Sequence, residues 1–279
     1  MKVCILGEGL VSLILAKVLA RKALSVDIFS NVKVRKYSQT RTIGITKSNI
    51  SYLNKNIINI EKILWEIKQI KIYTENFKND EILNFSNLSE QTFSIIRNDE
   101  LYNNLKKNLI HDKFVKFKKN RNYKKIIKEN YNLIINCEKN NFISKKYFSE
   151  KFKKNYNSIA YTSIIHHQKI DNIEARQYFT DAGPLAFLPL SSKITSIVFS
   201  AYDNRKFDDQ NLKKFIFNYK GILNIKKFSE FQKARLDFSL ARKYYVNNIL
   251  LFGDGLHQIH PLAGQGFNMT IRDLKILLK

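Results

Sequence analysis

Glycine is scarce in this chain, at 9 of 279 residues, and there are only two cysteines. Cys4 and Cys137 lie in the apolar runs VCILG and LIINCEK, which read as buried strands. That placement speaks against a disulfide framework and makes a reducing cytoplasm the default setting. No run of 18 apolar residues occurs, so no membrane-spanning helix is expected. The opening MKVCILGEGLVSLILAKVLA is read as the first strand and helix of the fold. Glu8 interrupts its apolar stretch and no small-residue cleavage site follows, as a secretory signal would require. Metal ligands are also too few. His257 and His260 stand at i, i+3, but no further Cys, His or carboxylate cluster completes a site, and no metal is expected.

Negative charge is the other shortage: 24 acidic residues face 48 Lys and Arg, a net charge of +24. Such an excess suits an anionic membrane surface or nucleic acid. Lys, Asn and Ile, however, all have AT-rich codons, and most Lys is scattered or in short pairs such as Lys118-Lys119 and Lys153-Lys154. The bland reading is a solvated surface, and nucleic acid is not expected as a partner. In Lys113–Lys128 the pattern predicts strands with buried aromatics and solvated lysines. What is present in quantity is core material: 44% hydrophobic and 13% aromatic residues, enough for one large domain or two modest ones.

The pattern along the chain predicts an α/β fold. Lys2–Leu6 is a continuous apolar strand, Gly7-Glu8-Gly9 a tight turn, Leu10–Lys22 a helix and Leu24–Phe29 a second strand. A helix is predicted from Ser48 to Asn56 with Ser48 as cap, and another from Asn98 to Leu109 with Asn98 as cap. Ile67–Tyr73, Ile82–Phe85 and Leu133–Cys137 read as strands. From Ser158 to Ala201, short β-rich runs separated by turns predict an inserted antiparallel sheet. A helix over Lys206–Tyr219 and a strand over Asn248–Phe252 follow. The two rings of His166-His167 fall on opposite faces of a strand, in a structural role.

Two segments carry chemistry. The strand-GxG-helix start lets a nucleotide pyrophosphate rest on free N–H groups at the helix N-terminus. Gly7 serves the tight turn and Gly9 the close approach, while Ser12 holds the third glycine position. At the end of the second strand, where an acidic residue would meet ribose hydroxyls, Ser30 stands instead and Asp27 points elsewhere. Near the other end, GDGLHQIHPLAGQGFNM (253–269) holds four of the nine glycines. Asp254 sits at the carboxyl end of a strand, where ligands bind in open α/β sheets, and a helix is predicted to begin near Phe267 or Asn268.

GDGLHQIHPLAGQGFNMTIRDL resembles the flavin-closing motif of FAD-dependent aromatic hydroxylases, most closely the ubiquinone-biosynthesis hydroxylases. Three further stretches are similar to that family: Arg41–Thr46 with Ser51-Tyr52-Leu53 and Trp65; Ile96–Leu101; and Ala175–Phe179 with GPLAFLPL (183–190). The resemblance implies a Rossmann-like FAD-binding domain with an inserted antiparallel β-sheet substrate domain. The expected division is 1–73, 97–157 and 236–279 for the FAD-binding domain, and 74–96 with 158–235 for the substrate domain.

It further implies an FAD-dependent monooxygenase that hydroxylates a polyprenylated phenol through a flavin C4a-hydroperoxide, with NADPH or another electron donor as co-substrate. Such a protein would work in the cytoplasm, peripheral to the inner membrane, near other ubiquinone-biosynthesis proteins. By position, Gly7, Gly9, Ser12 and Ser30 would serve the dinucleotide. Arg41 would pair with its phosphates, Arg97 would lie near the flavin, and Asp254 would contact the ribityl or pyrophosphate part. Pro261, Gly264, Gln265, Gly266, Phe267 and Asn268 would line the isoalloxazine. Two departures motivate an alternative, a weakly active or non-catalytic paralogue acting as a scaffold. The middle motif reads Cys137-Glu138-Lys139, with Lys139 in place of glycine, and Lys279 falls where family members continue.

Overall fold

The computed structural model describes residues 1–30, 39–75, 80–86, 93–119, 122–202, 205, 207–259 and 265–278. Strand β1 (Lys2–Leu6), helix α1 (Leu10–Arg21) and β2 (Ser25–Ser30) open the chain. β3 (Thr42–Thr46) runs into α2 (Lys47–Asn56), followed by β4 (Trp65–Ile67), β5 (Gln69–Thr74), β6 (Asp80–Ser86) and β7 (Phe93–Arg97). Next come α3 (Asn98–Ile110), β8 (Val115–Lys119), α4 (Tyr123–Ile126), β9 (Leu133–Asn136) and α5 (Phe142–Tyr147). β10 (Lys151–His167), β11 (Glu174–Thr180), β12 (Gly183–Ser191) and β13 (Ile194–Tyr202) follow, then α6 (Asp209–Asn218), β14 (Ile225–Phe228) and β15 (Gln232–Ala241). The chain returns through β16 (Tyr245–Val246), β17 (Ile249–Leu251), β18 (His257–Gln258) and α7 (Gln265–Leu277).

Six strands form one sheet in the order β16-β17-β9-β1-β2-β8, parallel except for the β16 edge. The continuous apolar run of β1 is explained by burial on both faces. Val3 and Ile5 face α1 and α3, whereas Cys4 and Leu6 face Tyr123, Ile126, Ile143 and Phe148 of the opposite layer. A nine-stranded sheet runs β18-β15-β10-β13-β12-β11-β5-β6, with β14 beside β10. It is antiparallel apart from the parallel β11–β5 pair. One face packs on α6 through Leu185, Phe187, Ile197, Phe199, Leu212 and Ile216. The other meets a three-stranded sheet β3-β7-β4, where Ile67 and Ile95 pack on Ala175. The expected α/β architecture with an inserted sheet is what the chain adopts.

Several local expectations are corrected. Ser48 does not cap α2: Thr46 occupies the cap, and Ser48 Oγ lies 3.4 Å from Thr46 Oγ1. Asn98 is the first residue of α3 and Arg97 occupies the cap, with no side-chain cap bond at either helix. Ile67–Tyr73 is two strands in two sheets, divided at Lys68, because Ile67 is needed under β7 and Ile70 onward under β11. Lys113–Lys128 is only partly strand; its second aromatic segment forms α4, capped by the Asn122 side chain on Lys125 N at 3.2 Å. The helix expected over Lys206–Tyr219 starts at Asp209, because Asp208 Oδ1 accepts from Asn211 N at 2.7 Å.

Candidate functional site

The first βα turn and the late glycine-bearing turn meet. Gly253 has φ +57°, and a Cβ there would stand 2.8 Å from Val11 Cγ1 in the first turn of α1. Phe252 N donates to Asn136 O at 3.0 Å, which seats the 253–255 turn against the end of β9. Gly7 has φ +104° and lies under the Glu138 side chain, where a Cβ would meet Glu138 Cγ at 2.8 Å. Both glycines are required by close approach as well as by backbone sign.

The α1 N-terminus is prepared for an anion. Gly9 occupies the cap, no side chain caps the helix, and its first turn contains no acidic residue. Its leading N–H groups therefore keep their positive field for a ligand. The nearby carboxylate of Glu8 is engaged elsewhere, accepting from Lys106 Nζ at 2.5 Å and Tyr102 Oη at 2.8 Å. Ser12 is fully buried beside the Cys137 thiol, which burial pushes up to about 12. Neither cysteine is a thiolate at neutral pH.

Asp254 and Arg41 are exposed in the cleft near this turn. Burial by surrounding protein raises the Asp254 carboxyl, opposed by the positive charges of His257, Arg41 and Lys139. A group that water can reach yet is crowded by protein lies in a concavity, as a cofactor-facing carboxylate must. His257 is itself oriented by Asp273, at 2.7 Å from Nε2 to Oδ2. Lys139 contacts the Gln258 amide, and Lys151 Nζ donates to Gly255 O at 3.3 Å. Arg41, Lys139 and Lys151 thus border one turn.

Arg97 pairs with Thr42 across the β3–β7 ladder, and Asn98 N donates to Arg41 O at 3.0 Å. Its guanidinium pairs with Asp99 at 3.1 Å, yet Arg97 Nε, Asn98 Oδ1 and Asp99 Oδ1 are buried with no hydrogen-bond partner. Such orphan atoms mark a place where a further polar group belongs.

Asn268 fixes α7 to β3. Its Oδ1 accepts from Asn49 Nδ2 at 2.9 Å and Thr46 N at 3.3 Å, and its Nδ2 donates to Gly44 O at 2.8 Å. The side chain is thereby committed to the protein, leaving the backbone for a ligand. Gln265 opens α7, with Gly266 and Phe267 half-buried behind it. Among the described residues, a Cβ on Gly266 would touch only Ile259, at 3.7 Å. Pro261, Gly264 and His260 lie outside the described residues. Ser30 ends β2 half-buried, whereas Asp27 is turned to the opposite layer, bonded to Lys118 Nζ and Tyr131 Oη at 2.7 Å each. His167 is buried and bonds through its ring to Thr195 and the Gln168 carbonyl.

Glu8, Tyr102 and Lys106 were not among the expected site residues. Only Glu8, inside the GxG turn, carried a local signal; Lys106 is 98 residues away. Together the uncapped α1 N-terminus, the orphaned Arg97 Nε and the Arg41–Asp254 concavity fit an anionic dinucleotide.

Comparison with known proteins agrees. Residues 146–279 match the family described as FAD binding domain. The mitochondrial ubiquinone biosynthesis monooxygenase COQ6 of Xenopus tropicalis is 30% identical over 165 residues, 44% of this chain and 35% of that protein. The ubiquinone hydroxylase UbiL of Rhodospirillum rubrum is 27% identical over 133 residues, 44% of this chain and 30% of that protein. The matched part thus spans about a third of these curated relatives. In structure, p-nitrophenol 4-monooxygenase PnpA from Pseudomonas putida DLL-E4 superposes with a TM-score of 0.77 at 11% identity, covering 99% of this chain and 78% of that one. PqsL of Pseudomonas aeruginosa, a probable FAD-dependent monooxygenase, gives 0.75 at 13% identity, covering 99% and 84%. The family match covers just under half of the chain, and the likeness to these solved structures shows that the fold is that of FAD-dependent aromatic hydroxylases. Both of these curated relatives are named as ubiquinone-related monooxygenases or hydroxylases.

Proposed function

We propose that this protein is a flavin-dependent monooxygenase of ubiquinone biosynthesis, inserting oxygen into the ring of a polyprenylated phenol. The observation that carries this reading is the meeting of the α1 N-terminus with the 253–255 turn beside Arg41, in a chain whose sequence relatives carry that activity in their names. FAD, when bound, supplies the oxygen chemistry; the protein's part is binding, orientation and exclusion of water. In this reading the N–H groups behind Gly7 and Gly9 take the pyrophosphate, Arg41 neutralises phosphate charge and Ser30 meets the ribose. Asp254 accepts from a ribityl hydroxyl. The N-terminal amides of α7, from Gln265 to Asn268, face the pyrimidine edge, where positive helix potential stabilises negative charge on a reduced ring. The resemblance also assigns Pro261 and Gly264 to the isoalloxazine lining. NADPH or another donor supplies electrons. A bilayer-dissolved substrate calls for a peripheral location, to which a net charge of +24 is suited.

The test begins with a visible absorption spectrum of the purified full chain after FAD addition and desalting. The expected result is stoichiometric oxidised flavin, followed by donor-dependent oxygen consumption with a prenylated phenol. Absence of retained flavin would overturn the reading. Lys139 favours a second reading, a scaffold with weak or no turnover: its ammonium occupies the motif's glycine position and acts on Asp254. Retained flavin that no donor reduces would support it.

A further inference from the structure

One edge of the molecule combines bare aromatic rings with a concentration of positive charge. At the start of β10, Phe152 is 56% exposed, and the segment between β15 and β17 presents Tyr244 at 52% and Tyr245 at 72%. The two segments are neighbours. Phe152 pairs with Leu240 of β15, Arg242 N donates to Glu150 O at 3.1 Å, and the Arg242 guanidinium lies 5.2 Å from the Phe152 ring. Tyr244 O accepts from Leu251 N at 2.7 Å and Tyr245 pairs with Leu250, which fixes both tyrosines at the sheet edge. Large rings left in water on so firmly held a backbone mark a surface that meets something else.

The charge around the rings narrows what that is. Residues 144–154 and 238–248 contain seven Lys and Arg against a single acid, Glu150. Lys154, Arg242 and Lys243 are exposed, as are Lys145 and Lys146 on α5. A second copy seated on the same patch would set these cations against their own images, and like charges repel. A nucleic-acid strand would need open ring faces to stack on, and Arg242 already covers Phe152. An anionic lipid surface suits both features. Tyrosine settles at the headgroup level, and Lys and Arg are drawn to acidic headgroups.

We infer that this patch docks the protein on an anionic phospholipid bilayer. Phe152, Tyr244 and Tyr245 enter the headgroup layer, and Lys154, Arg242 and Lys243 lie against its charged surface. This role rests on the proposed function, whose substrate is dissolved in a bilayer. Phe152, Leu240 and His257 stand side by side on β10, β15 and β18. At about 5 Å per strand, the patch lies about 10 Å from the strand that follows the 253–255 turn. Docking therefore sets the bilayer beside the turn proposed to hold FAD.

The test is sedimentation of the full chain with vesicles of phosphatidylcholine, alone or with about a quarter phosphatidylglycerol, at low salt. Binding to the anionic vesicles at least ten-fold tighter than to the neutral ones is expected. A basic residue at such a surface is worth about five-fold, so Arg242→Gln/Lys243→Gln should weaken binding about twenty- to thirty-fold. Tyr244→Ser/Tyr245→Ser, which keeps every charge, should weaken it at least five-fold. Lys213→Gln/Lys214→Gln, which removes as much charge from α6, should stay within two-fold of the parent. The inference is overturned by a parent that does not prefer anionic vesicles, by either patch variant binding within two-fold of it, or by an α6 variant that loses as much as Arg242→Gln/Lys243→Gln. Binding of a single-stranded oligonucleotide that Tyr244→Ser/Tyr245→Ser weakens equally would overturn it too, assigning the patch to nucleic acid. Flavin retention and turnover of a short-chain phenol are expected unchanged in all three variants, so failure of docking and failure of the proposed activity are read separately.

Discussion

Replacing Lys106 tests how the dinucleotide turn tolerates its own acidic residue. Glu8 sits between the two glycines, next to the place proposed for a pyrophosphate, and its charge is masked by Lys106 at 2.5 Å. The side chains are 31% and 19% exposed, so the pair is only partly shielded from water. A charge-assisted bond of this kind is worth about 1.5–3 kcal/mol when sheltered, and partial exposure brings that to about 1–2 kcal/mol. Lys106→Met should therefore weaken FAD about five- to twenty-five-fold, at 1.4 kcal/mol per factor of ten. Flavin fluorescence titration at low salt measures the affinity, and near-UV circular dichroism verifies the fold. The double variant Glu8→Gln/Lys106→Met should recover most of the loss, because the charge needing compensation is gone. An affinity within two-fold of the parent in Lys106→Met would refute the reasoning, as would a double variant no better than the single.

Two stability predictions follow from the same sheet. Burial alone would raise the Asp27 carboxyl, but hydrogen bonds from Lys118 and Tyr131 outweigh it and hold the group below its usual range. A depressed folded value gives stability that is present above the unfolded value of about 4 and lost as pH falls through the folded one. Asp27→Asn should therefore cost about 2–3 kcal/mol at neutral pH, with the gap to the parent narrowing in urea melts below about pH 4; a pH-independent gap would contradict this. Gly253→Ala should cost about 2 kcal/mol, from left-handed strain and from pushing Val11 aside. That lowers Tm by roughly 5 °C, and adding Val11→Ala should return part of it; full tolerance would mean the two turns do not touch.

The sheet was legible where both faces are buried. Val3, Ile5, Cys4 and Leu6 form an unbroken apolar run because each face has its own layer, and their strand boundaries came out as read. The division at Lys68 was not legible. Ile67 to Tyr73 reads as one β-rich run, and the distant partners, β7 and β11, pull its ends into different sheets. Helix starts were misread at Ser48 and Asn98 for a related reason: a residue able to cap is no evidence that its side chain does. The Lys-rich stretch hid α4 because Tyr123 and Ile126 are spaced alike for a helix turn and for a loop. At the site, the glycines and Asp254 announced themselves, since backbone demands leave a local trace. The compensating charges did not. Lys106 reaches Glu8, and Lys139 acts near Asp254, through contacts that only the folded chain creates.

The glycines of 253–269 divide by what asks for them. At Gly253, packing against Val11 and a positive φ already forbid a side chain, so the protein alone accounts for the residue. At Gly266 neither applies. The backbone is helical, where glycine costs up to about 1 kcal/mol against alanine, and among the described residues an added Cβ would find ordinary contact with Ile259 alone. A chain this sparing with glycine keeps one here against its own helix stability. The proposed function supplies one demand, a body that approaches α7 on the side where Asp254 and Arg41 are open to water. In that reading a flat ring laid against the first turn of the helix needs the backbone within van der Waals reach. Asn268 fits the same account: its side chain holds α7 to β3 through Gly44, Thr46 and Asn49, setting the height of the helix end above the cleft.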